Sequence, residues 1–247
     1  MILRMAVSSD VGRRRRANED AFAVSEELGL YLVADGMGGH SAGQVASRMA
    51  AEASEAALRT LRGAAASLSE KLRYAVAAAN REVFGAAQSD PALSGMGTTL
   101  VALLAGSERI ALAHVGDSRA YLLRGGRIRQ LTDDHSLVAE LVRRREISRD
   151  AARGHPHRHV LTRALGVRPS VEPDLAELSP QTGDLYLLCS DGLTGHVEDP
   201  ELAEALSGAR ELEAVCEGLV SLANARGGED NITVVIVRCE KADDWGA

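Results

Sequence analysis

Three apolar, strand-like runs in this chain each end on an aspartate beside a glycine. LGLYLVADG ends at Asp35-Gly36, RIALAHVGDS at Gly116-Asp117 and DLYLLCSDG at Asp191-Gly192. A buried run that carries a carboxylate at its tip is how a sheet presents a ligand for a hard metal ion, and glycine lets the backbone turn sharply there. Asn18-Glu19-Asp20 and Glu229-Asp230-Asn231 add acidic clusters near the two ends of the chain. Together the five segments read as one carboxylate cage gathered from the whole fold. The set has no Cys or His companion, and an all-oxygen site selects Mg²⁺ or Mn²⁺ over zinc.

A chain of 247 residues can bury a large core. One domain over residues 1–241 is expected, with a loose tail at 242–247. Apolar residues make up 45% and aromatics only 3%, so the core must be built from small aliphatics. The net charge of −7 argues against a nucleic-acid partner, despite the local basic runs Arg13 to Arg16 and Arg143 to Arg145. Those runs also fit solvated surface patches. The three cysteines, Cys189, Cys216 and Cys239, are scattered, which reads as free thiols in a reducing cytoplasm. No stretch reaches the ~18 apolar residues of a membrane span, and MILRMAVSSD is too short and polar for a signal peptide.

Met1 to Ser9 reads as a strand, and 20–34 as two strands joined at Glu26-Glu27. Ser41 to Leu61 has a helical face of Val45, Met49, Ala53 and Ala56, and Ser69 to Ala87 one of Leu72, Val76, Ala79 and Val83. Short strands follow at 97–104, 109–115, 118–123 and 127–131, with a tight hairpin at Arg124-Gly125-Gly126. Thr132 to Gly166 breaks the rhythm. It is polar, rich in Arg and His, partly helical around Ser136 to Arg145, and reads as a surface excursion. Strands resume at 171–178 and 184–189, then a helix at Glu211 to Ala225 and a last strand at Ile232 to Cys239. Strands at both ends and paired helices favour an α+β fold of two packed antiparallel sheets with helices outside.

Two hard ions ~3.5–4 Å apart can activate a bridging water and clamp a phosphoryl oxygen. Arg15, four residues before Glu19, offers a planar fork for a phosphate held there. In order, Arg15-x-x-Asn18-Glu19-Asp20, Asp35-Gly36-Met37-Gly38-Gly39-His40, Gly97-Thr98-Thr99, Gly116-Asp117-Ser118-Arg119, Ser190-Asp191-Gly192 and Asp230-Asn231-Ile232-Thr233 match a known pattern. The chain resembles the metal-dependent Ser/Thr protein phosphatases of the 2C family, bacterial branch, from about residue 6 to 238.

The resemblance implies a four-layer α-β-β-α sandwich. It also implies hydrolysis of phosphoserine and phosphothreonine in proteins by direct attack of a metal-bridging water at a binuclear Mn²⁺ or Mg²⁺ centre. Asp20, Asp35, the Gly36 carbonyl, Asp191 and Asp230 would hold the two ions, with Glu19 acting from the edge. Asp117, with Asp191, would hold a weaker third ion. Arg15 would grip the phosphate, and His40 matches the histidine near which the leaving alkoxide is protonated. Implied partners are phosphoproteins and a cognate Ser/Thr kinase, for a cytoplasmic monomer without a membrane span or nucleic-acid ligand. The excursion corresponds to the family's flap, where His159 replaces an asparagine common in bacterial relatives.

Plainer readings exist for each residue. Asp35 and Asp191 fit turn caps, Asp117 a structural bond to Arg119, Arg15 a solvated charge and His40 a packing residue. Thr98 and Thr99 read as structural β-branched residues. The excursion holds His135, His155, His157 and His159, and the alternation of the last three invites a zinc reading, without a cysteine or acidic partner at finger-like spacing. Rivals for the whole chain are a non-catalytic scaffold of the same fold and a phosphatase for small metabolites.

Overall fold

The computed structural model describes residues 2–38 and 42–241. The first half contains β1 (Ile2–Asp10), β2 (Asp20–Ser25), β3 (Leu30–Met37), α1 (Ala42–Thr60), α2 (Leu68–Ser89), β4 (Gly97–Thr98), β5 (Leu100–Ala105) and β6 (Ile110–Val115). Then come β7 (Arg119–Arg124), β8 (Arg127–Gln130), α3 (Leu137–Arg143), α4 (Arg149–Arg153), β9 (Asp174–Leu178), β10 (Leu185–Cys189), α5 (Asp191–Thr194), α6 (Asp199–Ser207), α7 (Leu212–Ala225) and β11 (Ile232–Glu240).

One sheet runs β1-β11-β10-β7-β8 and the other β2-β3-β5-β6-β9, with β4 paired to β3. Every pairing between these strands is antiparallel. Strand alternation sorts the side chains into three apolar layers. On β3, Leu30, Leu32 and Ala34 meet α1 and α2, while Tyr31 and Val33 face the other sheet. On β10, Leu185, Leu187 and Cys189 meet α6 and α7, while Tyr186 and Leu188 face inward between the sheets. The result is the expected α-β-β-α sandwich. All three cysteines are free and buried.

The hairpin at Arg124-Gly125-Gly126 forms as expected. Gly125 and Gly126 have φ of 56° and 76°, the left-handed pair a two-residue turn needs. The face expected for α2 is buried throughout: Leu72, Val76, Ala79 and Val83. The face expected for α1 is not. Val45, Met49 and Ala53 are half-buried flanks and Ala56 is exposed. The helix turns Gly43, Ala46, Ser47, Ala50, Ser54 and Ala57 to the sheet instead. Its first turn lies on the Gly36 backbone, which a row of small residues alone permits.

Helix α6 is absent from the sequence reading. Its signals are local: a proline in the first turn, reciprocal Glu198–Glu201 capping, and Leu202 and Leu206 one turn apart in the core. Among the described residues, no helix is long and apolar enough to cross a membrane.

The packing of α1 makes a clear prediction. Ala46→Leu forces three extra carbons into a closed layer and should cost about 1–3 kcal/mol in urea unfolding. Ala56→Leu on the expected face should be neutral within about 0.5 kcal/mol. Equal effects would mean that the helix is rotated from the position described.

Candidate metal centre

The strand registers bring the five acidic segments to one end of the sandwich. Asp20 opens β2 and is the cross-strand partner of Asp35 on β3. Asp117 occupies the turn between β6 and β7, and Asp191 follows the end of β10. Asp230 stands two residues before β11, whose early residue Val234 pairs with Cys189 at the end of β10. Glu19 precedes Asp20 on the same loop as Arg15. His40 lies outside the described residues.

The glycines act differently from the sharp-turn expectation. Only Gly116 adopts a left-handed backbone, with φ 111°. Gly36 and Gly192 are needed for close approach. A Cβ on Gly36 would overlap the Gly43 carbonyl of α1, and one on Gly192 would overlap the Asn231 carbonyl. These contacts press α1 and the β11 entry directly against the two aspartates.

The carboxylates are difficult to ionise together. Burial pushes Asp20 up to about 7; Thr233 and Ser190 hydrogen bonds oppose this, while Asp191 and Asp230 add to it. Burial holds Asp35 well above the carboxylate range, reinforced by Asp20, Asp191, Asp117 and Asp230. Asp117 is likewise raised by burial, then by Asp191 and Asp134. Burial also raises Glu19. The Oδ1 atoms of Asp20 and Asp191 are buried with no hydrogen-bond partner. Buried carboxylate oxygens without a hydrogen-bond partner fit bound cations, and the oxygen-only donor set fits hard ones.

A ring of neutral side chains holds these acids, and most of it went unread in the sequence. Buried Asn231, first grouped with the acidic cluster, is a clamp. Its Nδ2 donates to the carbonyls of Val11 and Ala17, both at 2.9 Å, and its Oδ1 accepts from Glu19 N at 2.7 Å. Ser190 Oγ donates to Asp20 Oδ2 at 2.8 Å and accepts from Thr233 N at 3.0 Å. Thr98 and Thr99 do more than favour a strand. Thr98 Oγ1 donates to Asp35 O, Thr99 Oγ1 accepts from Asp35 N, both at 2.9 Å, and Thr99 shares a 2.7 Å hydrogen bond with Ser118. A polar residue beside a strand-end acid was the available signal.

Arg15 stands over this cluster. Its Nη2 donates to Asp230 Oδ2 at 2.7 Å, and Asp230, Glu19 and Asp35 all raise its affinity for a proton against the effect of burial. Arg13 and Arg14 instead donate backbone N–H groups to Gly228 O. Arg119, the alternative partner proposed for Asp117, gives its hydrogen bonds to Asp134 and Tyr121. The excursion reaches the same end: His159 Nδ1 is 3.7 Å from Asp191 Oδ2, Arg158 is 3.4 Å from Glu229, and Arg153 pairs with Glu198. His155, His157 and His159 do not gather as zinc ligands. Among the described residues, the one His/Cys/Asp/Glu group with metal-like spacing is His114, His135 and Asp174.

The family model for protein phosphatase 2C matches residues 12–232. This chain belongs to the protein phosphatase 2C family. It is 45% identical over 234 residues to the serine/threonine phosphatase stp of Listeria monocytogenes, covering 93% of each chain. It is similar in structure to the serine/threonine phosphatase PstP/Ppp of Mycobacterium tuberculosis, with a TM-score of 0.89 at 42% identity, over 98% of this chain and 100% of that one. A further similar structure is the catalytic domain of PstP in complex with two manganese ions, with a TM-score of 0.86 at 40% identity, over 97% and 99%.

The raised acids give a pH signature. Their folded pKa lies above the unfolded value near 4, so the folded, metal-free protein binds more protons between about pH 4 and 7 and loses stability as pH rises. Melting in EDTA should therefore fall from about pH 5 to pH 8, and saturating Mn²⁺ should remove that fall. A melting temperature in EDTA that stays level or climbs would contradict it.

Proposed function

We propose that the chain is a serine/threonine protein phosphatase that hydrolyses phosphoserine and phosphothreonine with two Mn²⁺ or Mg²⁺ ions. The observation that carries this reading is the convergence of Asp20, Asp35, Asp191 and Asp230 on one end of the sandwich, with buried unpartnered oxygens on two of them and Arg15 alongside. Asp20, Asp35, the Gly36 carbonyl, Asp191 and Asp230 are the proposed ligands of the two ions, with Glu19 at the edge and Asp117 with Asp191 toward a weaker third. The ions supply an activated water and neutralise charge on the phosphoryl oxygens.

The chain's own groups do the rest. Arg15 swings from Asp230 to the substrate phosphate, which its planar fork matches. Asn231, Ser190 and Thr99 hold the acids, so little reorganisation accompanies the reaction. His40 is the proposed proton donor to the departing Ser or Thr oxygen. Residues 1–241 form the proposed phosphatase domain, with 132–166 as its flap. The proposed setting is a cytoplasmic monomer opposing a Ser/Thr kinase.

The deciding experiment is phosphate release from a phosphothreonine protein with Mn²⁺, before and after EDTA. Release only with metal is expected; undiminished release from a verified metal-free preparation overturns the mechanism. Faster turnover of small phosphate esters than of the phosphoprotein at matched concentrations would favour the metabolite phosphatase, and an inert protein the scaffold. Asp191→Ala should retain less than about a tenth of wild-type kcat. Arg15→Ala should weaken catalysis and inhibition by free phosphate together, while Arg13→Ala and Arg14→Ala do much less. Three equal effects would reduce Arg15 to part of a diffuse basic patch.

The flap carries its own expectation. Arg143, Arg144 and Arg145 are exposed at the C-terminal end of α3, Arg143 in its last turn and the other two just past it. Replacing all three with alanine should raise KM for a phosphoprotein more than for a small aromatic phosphate ester, at unchanged Mn²⁺ affinity. Equal losses on both would show that the flap supports the catalytic end itself.

A further inference from the structure

His114, His135 and Asp174 form a cluster outside the proposed metal centre. Their ligand atoms lie within 4.8 Å of one another. The two imidazoles are buried and stacked, with centroids 4.6 Å apart. The spacing suits a cation, but the hydrogen bonds of His135 do not. Its Nδ1 accepts the Gly116 N–H at 3.0 Å, so the neutral ring carries its proton on Nε2, which donates to Asp174 Oδ2 at 3.1 Å. A cation at Nε2 would displace that proton and move it to Nδ1, against another N–H. Burial lowers His135, and burial with His135 alongside takes His114 down to about 4, so both rings are neutral near pH 7. Arg163 already holds the other Asp174 oxygen at 2.5 Å.

The cluster instead joins two parts of the molecule. On one side, His135 grips both polar groups of Gly116: Nδ1 accepts its N–H, and the His135 N–H donates to its carbonyl at 2.7 Å. Gly116 is the left-handed residue immediately before Asp117, and a Cβ there would meet the Thr99 side chain at 2.6 Å. This pair of bonds therefore fixes the turn that aims Asp117. On the other side is the returning arm of the flap. The His135 carbonyl accepts from Thr162 N, and Leu137 N donates to Val160 O, both at 2.8 Å. Arg163, bound to Asp174, also donates to Glu172 O at 3.1 Å.

We propose that His135 is a positioning residue that couples the flap to Asp117, its Nδ1 side setting the Gly116–Asp117 turn and its Nε2 side holding Arg163 through Asp174. The inference rests on Asp117 as a ligand of the third ion. It predicts reciprocity: filling that site steadies the flap, and loosening the flap weakens that site.

Two substitutions separate the two sides of the ring. His135→Asn places an amide oxygen near the former Nδ1, retaining an acceptor for Gly116 but losing Asp174. His135→Gln reaches Asp174 but leaves the Gly116 N–H without an acceptor. Asp174→Ala makes the outer cut at a side chain that is 54% exposed, where folding is least at risk.

The first measurement is a Mn²⁺ titration of the full chain, with free Mn²⁺ followed by electron paramagnetic resonance. The weak class of sites should weaken by about two- to threefold in His135→Asn and Asp174→Ala, the share that the flap lends it, and by about tenfold in His135→Gln. The second is trypsin cleavage after the flap arginines, with each variant saturated in Mn²⁺. Filling the weak site should slow cleavage in the wild type and have no such effect in His135→Asn or Asp174→Ala. Equal weak-site affinity in the Asn and Gln variants overturns the proposal, as does Mn²⁺ protection that survives the outer cut. Asp117→Asn distinguishes the failures. If it leaves the weak class unchanged, the assignment of Asp117 falls and takes the proposal with it. If it abolishes the weak class while His135→Gln does not weaken it, the proposal alone falls.

Discussion

The repulsion among acids packed at one end of the two sheets is the constraint on which the rest of this structure depends. Asp20, Asp35 and Asp117 each sit where burial penalises charge and where another carboxylate adds to the penalty. The raised proton affinity of these acids and the Arg15 hydrogen bond to Asp230 both ease that repulsion. Both arrangements are replaceable. Hard cations held by these acids would take over that neutralisation and leave the Arg15 guanidinium for a phosphate.

Keeping those acids together requires a scaffold with little freedom. Antiparallel registers align the strand ends, and glycines at 36 and 192 allow α1 and the β11 entry to press against them. Alanine-rich layers beneath α1 and α2 bring the helices close to the sheet, while larger Tyr, Leu and Val side chains fill the space between the sheets. Above the site, the flap is held at its base by His135 and reaches Asp191 through His159.

The acids and Arg15 stood out in the sequence because each stands at the tip of an apolar run or in an ordered motif, and the strands because they are short apolar runs between turn signals, although 97–104 divides into β4 and β5 and β9 begins at Asp174 rather than at residue 171. Three kinds of feature were harder to read. The buried face of α1 was misplaced because hydrophobicity favours Val45 and Met49, whereas close approach favours Ala46 and Ala50. The roles of Gly36 and Gly192 were misread because a glycine needed for a neighbour's carbonyl looks identical to one needed for a turn. The clamps made by Asn231, Thr99 and His135 depend on partners far along the chain, and periodicity carries no record of such partners.

The central claim is that these carboxylates form a two-cation site. Crystals of the Mn²⁺-loaded protein, measured at the manganese edge, test it most directly. The account predicts two strong anomalous peaks about 3.5–4 Å apart, bounded by Asp20, Asp35, Asp191 and Asp230, with any weaker peak beside Asp117. A map that is empty there, or whose principal peak lies among His114, His135 and Asp174, would contradict it.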